Sequence, residues 1–207
     1  GGHRDLHSFP PRRSSDLCVD AVMGADRIRG VVIASKSGTQ AVLGTVIIDA
    51  TGDGDVAAFA GAPWQFGRDR DNRTQAMTLC FLLGNVDTHR VPRYGPLVQE
   101  AISKAKAAGE LDTEWAVDAN LDPRVQGKNG VVSVNCMNVP GASGLNAADL
   151  TYAYLEALRE TELLVQVFRK YLPGCEECYL IETAPQLGVR ETRSEERRVG
   201  KECRSRW

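Results

Sequence analysis

The 207-residue chain is short of histidine and of aromatic side chains: it holds three His, and Phe, Trp and Tyr together make up 6%. His3 and His7 stand in an N-terminal stretch, so His89 alone accompanies the bulk of the chain. One imidazole cannot build a His-rich metal site. No apolar run approaches the roughly 18 residues of a spanning helix, and no secretory signal is visible. These absences predict a soluble, cytoplasmic protein without a membrane partner.

Both ends lack what a folded segment needs. Residues 1–17 are polar, aperiodic and broken by Pro10 and Pro11, and residues 193–207 hold one aliphatic side chain, Val199, among nine charges. Such compositions bury too little apolar surface to offset chain entropy. Both resemble sequencing-adapter DNA translated in frame, and they are set apart from fold reasoning. The flanks carry nine of the 25 Lys+Arg and five of the 27 Asp+Glu, leaving 16 against 22 and a net charge of about −6 over 18–192. That balance gives no electrostatic case for a nucleic-acid partner. Five cysteines remain there, Cys18, Cys80, Cys136, Cys175 and Cys178, set among apolar neighbours as buried free thiols in a reducing compartment would be.

What is present reads as mixed α and β structure. Arg29–Ser35 and Ala41–Asp49 are β-branched runs around Lys36-Ser-Gly-Thr-Gln40, a hairpin signal whose second arm runs on into Val46-Ile-Ile-Asp-Ala-Thr-Gly-Asp-Gly-Asp-Val-Ala57. Ala76–Leu83 predicts a buried strand. Pro96–Gly109 predicts a short amphipathic helix with Leu97, Ala101 and Ile102 on one face. Val131–Val139 reads as a strand, and Asn146 caps a helix predicted over 147–171. Its stripe is Leu150, Ala153, Tyr154, Ala157, Leu158, Leu164, Val165 and Phe168, and Pro173-Gly174 stops it. Cys178–Thr192 reads as a strand, a proline turn and the start of another strand.

Gly52-Asp-Gly-Asp-Val-Ala57 fits the spacing of a dinucleotide glycine turn between strand and helix. Asp53 and Asp55 would oppose a pyrophosphate there, and no second strand ending in an acid follows about 20 residues on. An EF-hand reading places Asp49, Thr51, Asp53, Gly54 and Asp55 well but meets Ala60 where a bidentate Glu belongs. Two further readings stay open: a metal-binding Asp53/Asp55 pair for phosphoryl or glycosyl transfer, and an ordinary strand-turn-helix with Asp55 as N-cap. Cys175-Glu-Glu-Cys178 has redox or zinc spacing without a second pair, in a loop. Asn72-Arg-Thr74 is a glycosylation sequon in form only, and His89 is expected to be a solvated loop residue.

Two motifs in order carry a resemblance. Val46–Pro63 resembles the Asp-Ala-Thr-Gly-Asp-Gly-Asp segment of FAD-dependent oxidoreductases with a glutathione-reductase-like flavin fold, and Ala184-Pro-Gln-Leu-Gly-Val-Arg-Glu-Thr192 is similar to that family's downstream Gly-Val-Arg-Glu signature. The likeness spans 18–192. It implies a mixed α/β (α+β) fold, an internal piece of the FAD-binding architecture with substrate-side strands and a long helix. Residues 18–63 and 184–192 would belong to the FAD-binding part and 64–183 to the substrate side. The resemblance puts Ala50, Thr51, Gly52 and Asp53 near the dinucleotide, and Gly188, Val189, Arg190 and Glu191 near flavin or substrate, with Arg190 facing an anionic group. FAD is the implied cofactor, a small molecule the substrate, and hydride transfer to or from flavin the chemistry. No general base is named. The family's pyrophosphate-binding glycine turn lies upstream of these residues, so 18–192 alone is expected to bind FAD weakly. The alternatives are the Asp53/Asp55 transferase and a non-catalytic interaction module.

Overall fold

The structure is a computed structural model that describes residues 17–68, 71–91, 96–112, 120–122, 130–190 and 192–195. The described residues fall into two compact units, one running up to Gln65 and taking in Arg193–Glu195, the other Phe66–Thr192.

In the first unit β1 (Leu17–Met23), β2 (Ile28–Ser35) and β3 (Gly38–Leu43) form an antiparallel meander in chain order. Ser35 pairs with Gly38 around Lys36-Ser37, and Gly38, directly after these two, takes the φ of +91° of the left-handed glycine that closes such a hairpin as a G1 bulge. Leu17, assigned to the flank from sequence, pairs with Ala34 in this sheet. A five-residue helix follows, α1 (Asp55–Phe59), and β4 (Trp64–Phe66) pairs with β9 (Arg193–Glu195). The apolar residues buried among those described here are Ile33 and Val56. The expected strand through Val46–Asp49 is not formed. β3 ends at Leu43, the Gly44 N–H turns back to the Arg29 carbonyl at 3.0 Å, and Val46 and Ile48 stand 78% and 84% exposed. A β-branched run becomes a strand only when a neighbour takes its hydrogen bonds, and no described strand pairs with 44–50.

The second unit holds the core. Its sheet runs β6 (Asn120–Asp122), β7 (Val132–Asn135), β5 (Phe81–Gly84), β8 (Tyr179–Thr183), antiparallel throughout. Period-2 alternation sends Met77, Leu79, Phe81 and Leu83 inward, and only the last part of the predicted 76–83 strand joins the ladder. Helix α2 (Pro96–Ala107) buries Val98, Ala101, Ile102 and Ala105. Leu97 is 51% exposed, a correction to the expected face. Helix α3 spans Ala147–Tyr171, and the Asn146 side chain accepts from the N–H groups of Ala148 and Asp149. Ala153, Ala157, Leu164, Val167 and Phe168 are its buried apolar stripe. Among the described residues no helix is long and apolar enough to cross a membrane.

Candidate functional site

The glycine turn is organised by a carboxylate of its own chain. Asp49 Oδ1 accepts from the Thr51 N–H at 3.0 Å and the Thr51 hydroxyl at 2.7 Å, and Asp49 Oδ2 accepts from the Ala57 N–H at 2.9 Å. Thr51 Oγ1 in turn accepts from the Asp55 N–H at 2.7 Å. The N-cap is Gly54 in the left-handed region, without a side-chain cap, so Asp55 is the first helical residue and not the cap. The α1 amide donors of Asp55 and Ala57, which a pyrophosphate would need, are therefore already taken from within. Burial would push the Asp49 carboxyl up, but the bonds from the Thr51 hydroxyl and the Ala57, Thr51 and Val56 amides outweigh it and hold it below its ordinary value.

Beside this turn lies a cavity of about 220 Å³ lined by Asp49, Thr51, Gly52, Asp53, Trp64 and Arg193, among others. Gly52 and Gly54 face open space at the positions a Cβ would fill. The Arg193 side chain is 15% exposed, donates from Nη1 to Asp55 Oδ1 at 2.5 Å, and lies 5.0 Å over the Trp64 ring. Its Nε is buried and has no hydrogen-bond partner among the described residues. Assigned to the flank from sequence, Arg193 is in the structure part of the cavity wall. Arg193 stands on the seam between the flank and the Gly188-Val-Arg-Glu-Thr192 signature, which an arginine follows in the family it resembles, and from sequence neither it nor Trp64 was counted as a site residue. The signal was available, since Arg193 follows directly on Gly188-Val-Arg-Glu-Thr192.

The predicted site residues fall in both units. Thr51, Gly52 and Asp53 line the cavity; Ala50 is exposed and does not. Gly188, Val189 and Arg190 belong to the second unit, and Glu191 lies outside the described residues. Gly188 exchanges two backbone bonds with Thr78 at 2.7 and 3.1 Å, and a Cβ there would meet the Thr78 carbonyl at 3.0 Å. Sheet contact accounts for that glycine without a ligand. Val189 is 39% exposed and Arg190 is exposed.

The metal reading meets Arg193 instead, because a guanidinium already occupies Asp55, and no group of three or more His, Cys, Asp or Glu suited to a metal occurs among the described residues. Cys175 and Cys178 are buried in the loop after α3, where the Cys178 N–H donates to the Cys175 carbonyl at 3.0 Å. His89 is exposed, as expected.

A glycine turn capped from within, beside an unanswered buried guanidinium N–H, defines a site for a polar ligand that offers oxygen acceptors. Residues 13–198 match the model of the FAD dependent oxidoreductase family, and the chain belongs to that family, whose cofactor is FAD. It matches no curated protein and no solved structure. The cavity residues fit part of FAD: Arg193 Nε can donate to an oxygen, and Asp53 can accept from a hydroxyl. They do not fit its pyrophosphate, since Asp49 and Asp53 line the cavity and Arg193 is already paired with Asp55.

Proposed function

We propose that this chain contributes to a flavin enzyme of glutathione-reductase-like fold in which the first-unit cavity receives a hydroxyl- and carbonyl-bearing portion of FAD, and that the enzyme passes hydride between a small-molecule substrate and flavin. The buried, partnerless Nε of Arg193 carries the reading. A buried donor left without an acceptor costs roughly 1–3 kcal/mol, and an oxygen of a bound ligand would recover that cost. Asp49 would hold the turn in shape, Gly52 and Gly54 would let backbone come close, and Asp55 and Trp64 would fix the guanidinium plane. When bound, the isoalloxazine supplies the electron chemistry. The residues here bind and orient.

Saturation-transfer NMR on the full chain with FAD, riboflavin and adenosine tests the reading. FAD and riboflavin should show contact, adenosine much less, and Arg193→Gln should lower the FAD signal at least fivefold. An unchanged signal in Arg193→Gln sinks the proposal.

A further inference from the structure

A second cavity, of about 290 Å³, lies within the second unit, and Phe66, Asn72, Arg73, Thr74, Pro140 and Ser143 line it. None of the described residues that line it is acidic. At its rim Arg68 is tied to Asp71, Asn72 and Arg73. Arg68 grips Asp71 through two bonds of 2.6 and 2.7 Å, the Asn72 N–H donates to the Arg68 carbonyl at 2.9 Å, and the Arg68 N–H donates to the Arg73 carbonyl at 3.1 Å. Gly67 permits this closure, because a Cβ there would come within 2.6 Å of the Asn72 carbonyl. Asn72 is held at a φ of +52°, a conformation that non-glycine residues keep only where their surroundings enforce it.

The consequence is electrostatic. With Asp71 gripped by Arg68, the Arg73 guanidinium makes no hydrogen bond or ion pair among the described residues, and the Asn72 and Thr74 side chains make none either. On the opposite wall the Ser143 N–H is given to Asp149 and Ser143 Oγ accepts from the Leu145 N–H, which leaves the hydroxyl its proton to donate. The cavity thus gathers one uncompensated planar cation, amide and hydroxyl donors, and an apolar surface on Phe66 and Pro140. At about 30 Å³ for each water-sized group there is room for about ten heavy atoms.

We propose that this cavity binds a small organic carboxylate, its two oxygens on Arg73 with Thr74 and Ser143 as further donors, and its apolar body against Phe66 and Pro140. Guanidinium and carboxylate match as paired forks, which a lysine could not reproduce. The proposal stands apart from the flavin reading.

Titration of the FAD-free full chain with benzoate, followed on arginine Nε–Hε NMR signals, tests it. Benzoate should bind saturably and move the Arg73 signal. Arg73→Gln should weaken binding at least tenfold, Arg73→Lys by less, and Thr74→Val several-fold. Benzyl alcohol, with the same ring and no charge, should bind at least tenfold more weakly, and so should inorganic phosphate, which has no apolar body. Retention of benzoate affinity in Arg73→Gln, the absence of a saturable shift, or equal binding of benzyl alcohol or phosphate overturns the proposal. The two comparison ligands are tested on the unaltered chain, so the test survives a variant that folds poorly.

Discussion

Arg193 reaches Asp55 across 138 residues of sequence, with Nη1 2.5 Å from Oδ1. The pair ties β9 to the first turn of α1 and leaves the guanidinium plane against Trp64. Because Nη1 serves Asp55 while Nε serves no described group, the residue divides into an anchoring half and a buried half whose donor lacks a partner among the described residues.

That division predicts how Arg193→Lys behaves. An ammonium keeps the charge for Asp55 but has neither the guanidinium that lies over Trp64 nor the Nε donor. Urea unfolding should show a loss of at most about 1 kcal/mol, as for a partly exposed pair. The FAD saturation-transfer signal should fall at least fivefold. A lysine variant with undiminished FAD contact would separate the orphan donor from the cofactor.

Helix α3 was legible to its ends because every signal was local: Asn146 two and three residues before the amides it caps, a 3.6-residue stripe, and Pro173-Gly174 beyond. The first unit was not. Val46–Asp49 has the composition of a strand, but pairing is a property of a neighbour, and the ladder stops at Leu43. Arg193 was misplaced for the same kind of reason. Its surroundings in sequence are those of a charged tail, whereas its partners Asp55 and Trp64 are distant along the chain. The glycine turn was found correctly, but its use was hidden, since nothing in the spacing shows that Asp49 takes the Ala57 amide.

Asp49 makes the turn acid-sensitive. Its carboxyl is held below the ordinary 3.8 by hydrogen bonds that prevail over burial, so the folded state binds its proton less readily than the unfolded chain. Its contribution is complete above pH ~4 and is lost as pH falls through the lowered folded value. The amide signals of Thr51 and Ala57 should therefore move together on acidification, with a midpoint below 3.8. Asp49→Asn should abolish that transition and cost about 1–2 kcal/mol locally by hydrogen exchange, since an amide nitrogen faces donors. A midpoint above 3.8 contradicts the assignment.

Two glycines with similar backbone angles should respond differently to alanine. Gly109, at φ +70°, has nothing within 4 Å of an added Cβ, whereas at Gly174, φ +87°, that atom would sit 2.8 Å from the Asp87 carbonyl and 2.9 Å from the Val91 nitrogen. Left-handed strain alone costs about 1 kcal/mol, the loss expected for Gly109→Ala. Gly174→Ala adds a clash with backbone that also receives the Asp87 N–H on the Gly174 carbonyl at 2.8 Å, so about 2–4 kcal/mol is expected. Equal losses in denaturant unfolding would show that the 87–91 turn yields freely.

Leu97 and Ile102 give the sharpest contrast on one helix. Both are large aliphatics, yet Leu97 is 51% exposed and Ile102 2% exposed in the cluster that also holds Val98, Ala105 and Leu164. Ile102→Ala removes buried methyl groups and leaves a space its neighbours fill only in part, for an expected loss of about 2–4 kcal/mol. Leu97→Ala takes surface mostly from water, and alanine's higher helix propensity offsets part of what is lost, so a change within about 0.5 kcal/mol is expected. Urea midpoints of the two variants at unchanged slope check this directly. A comparable loss at Leu97 would mean that its side of α2 is covered in solution, which would restore the face the sequence suggested.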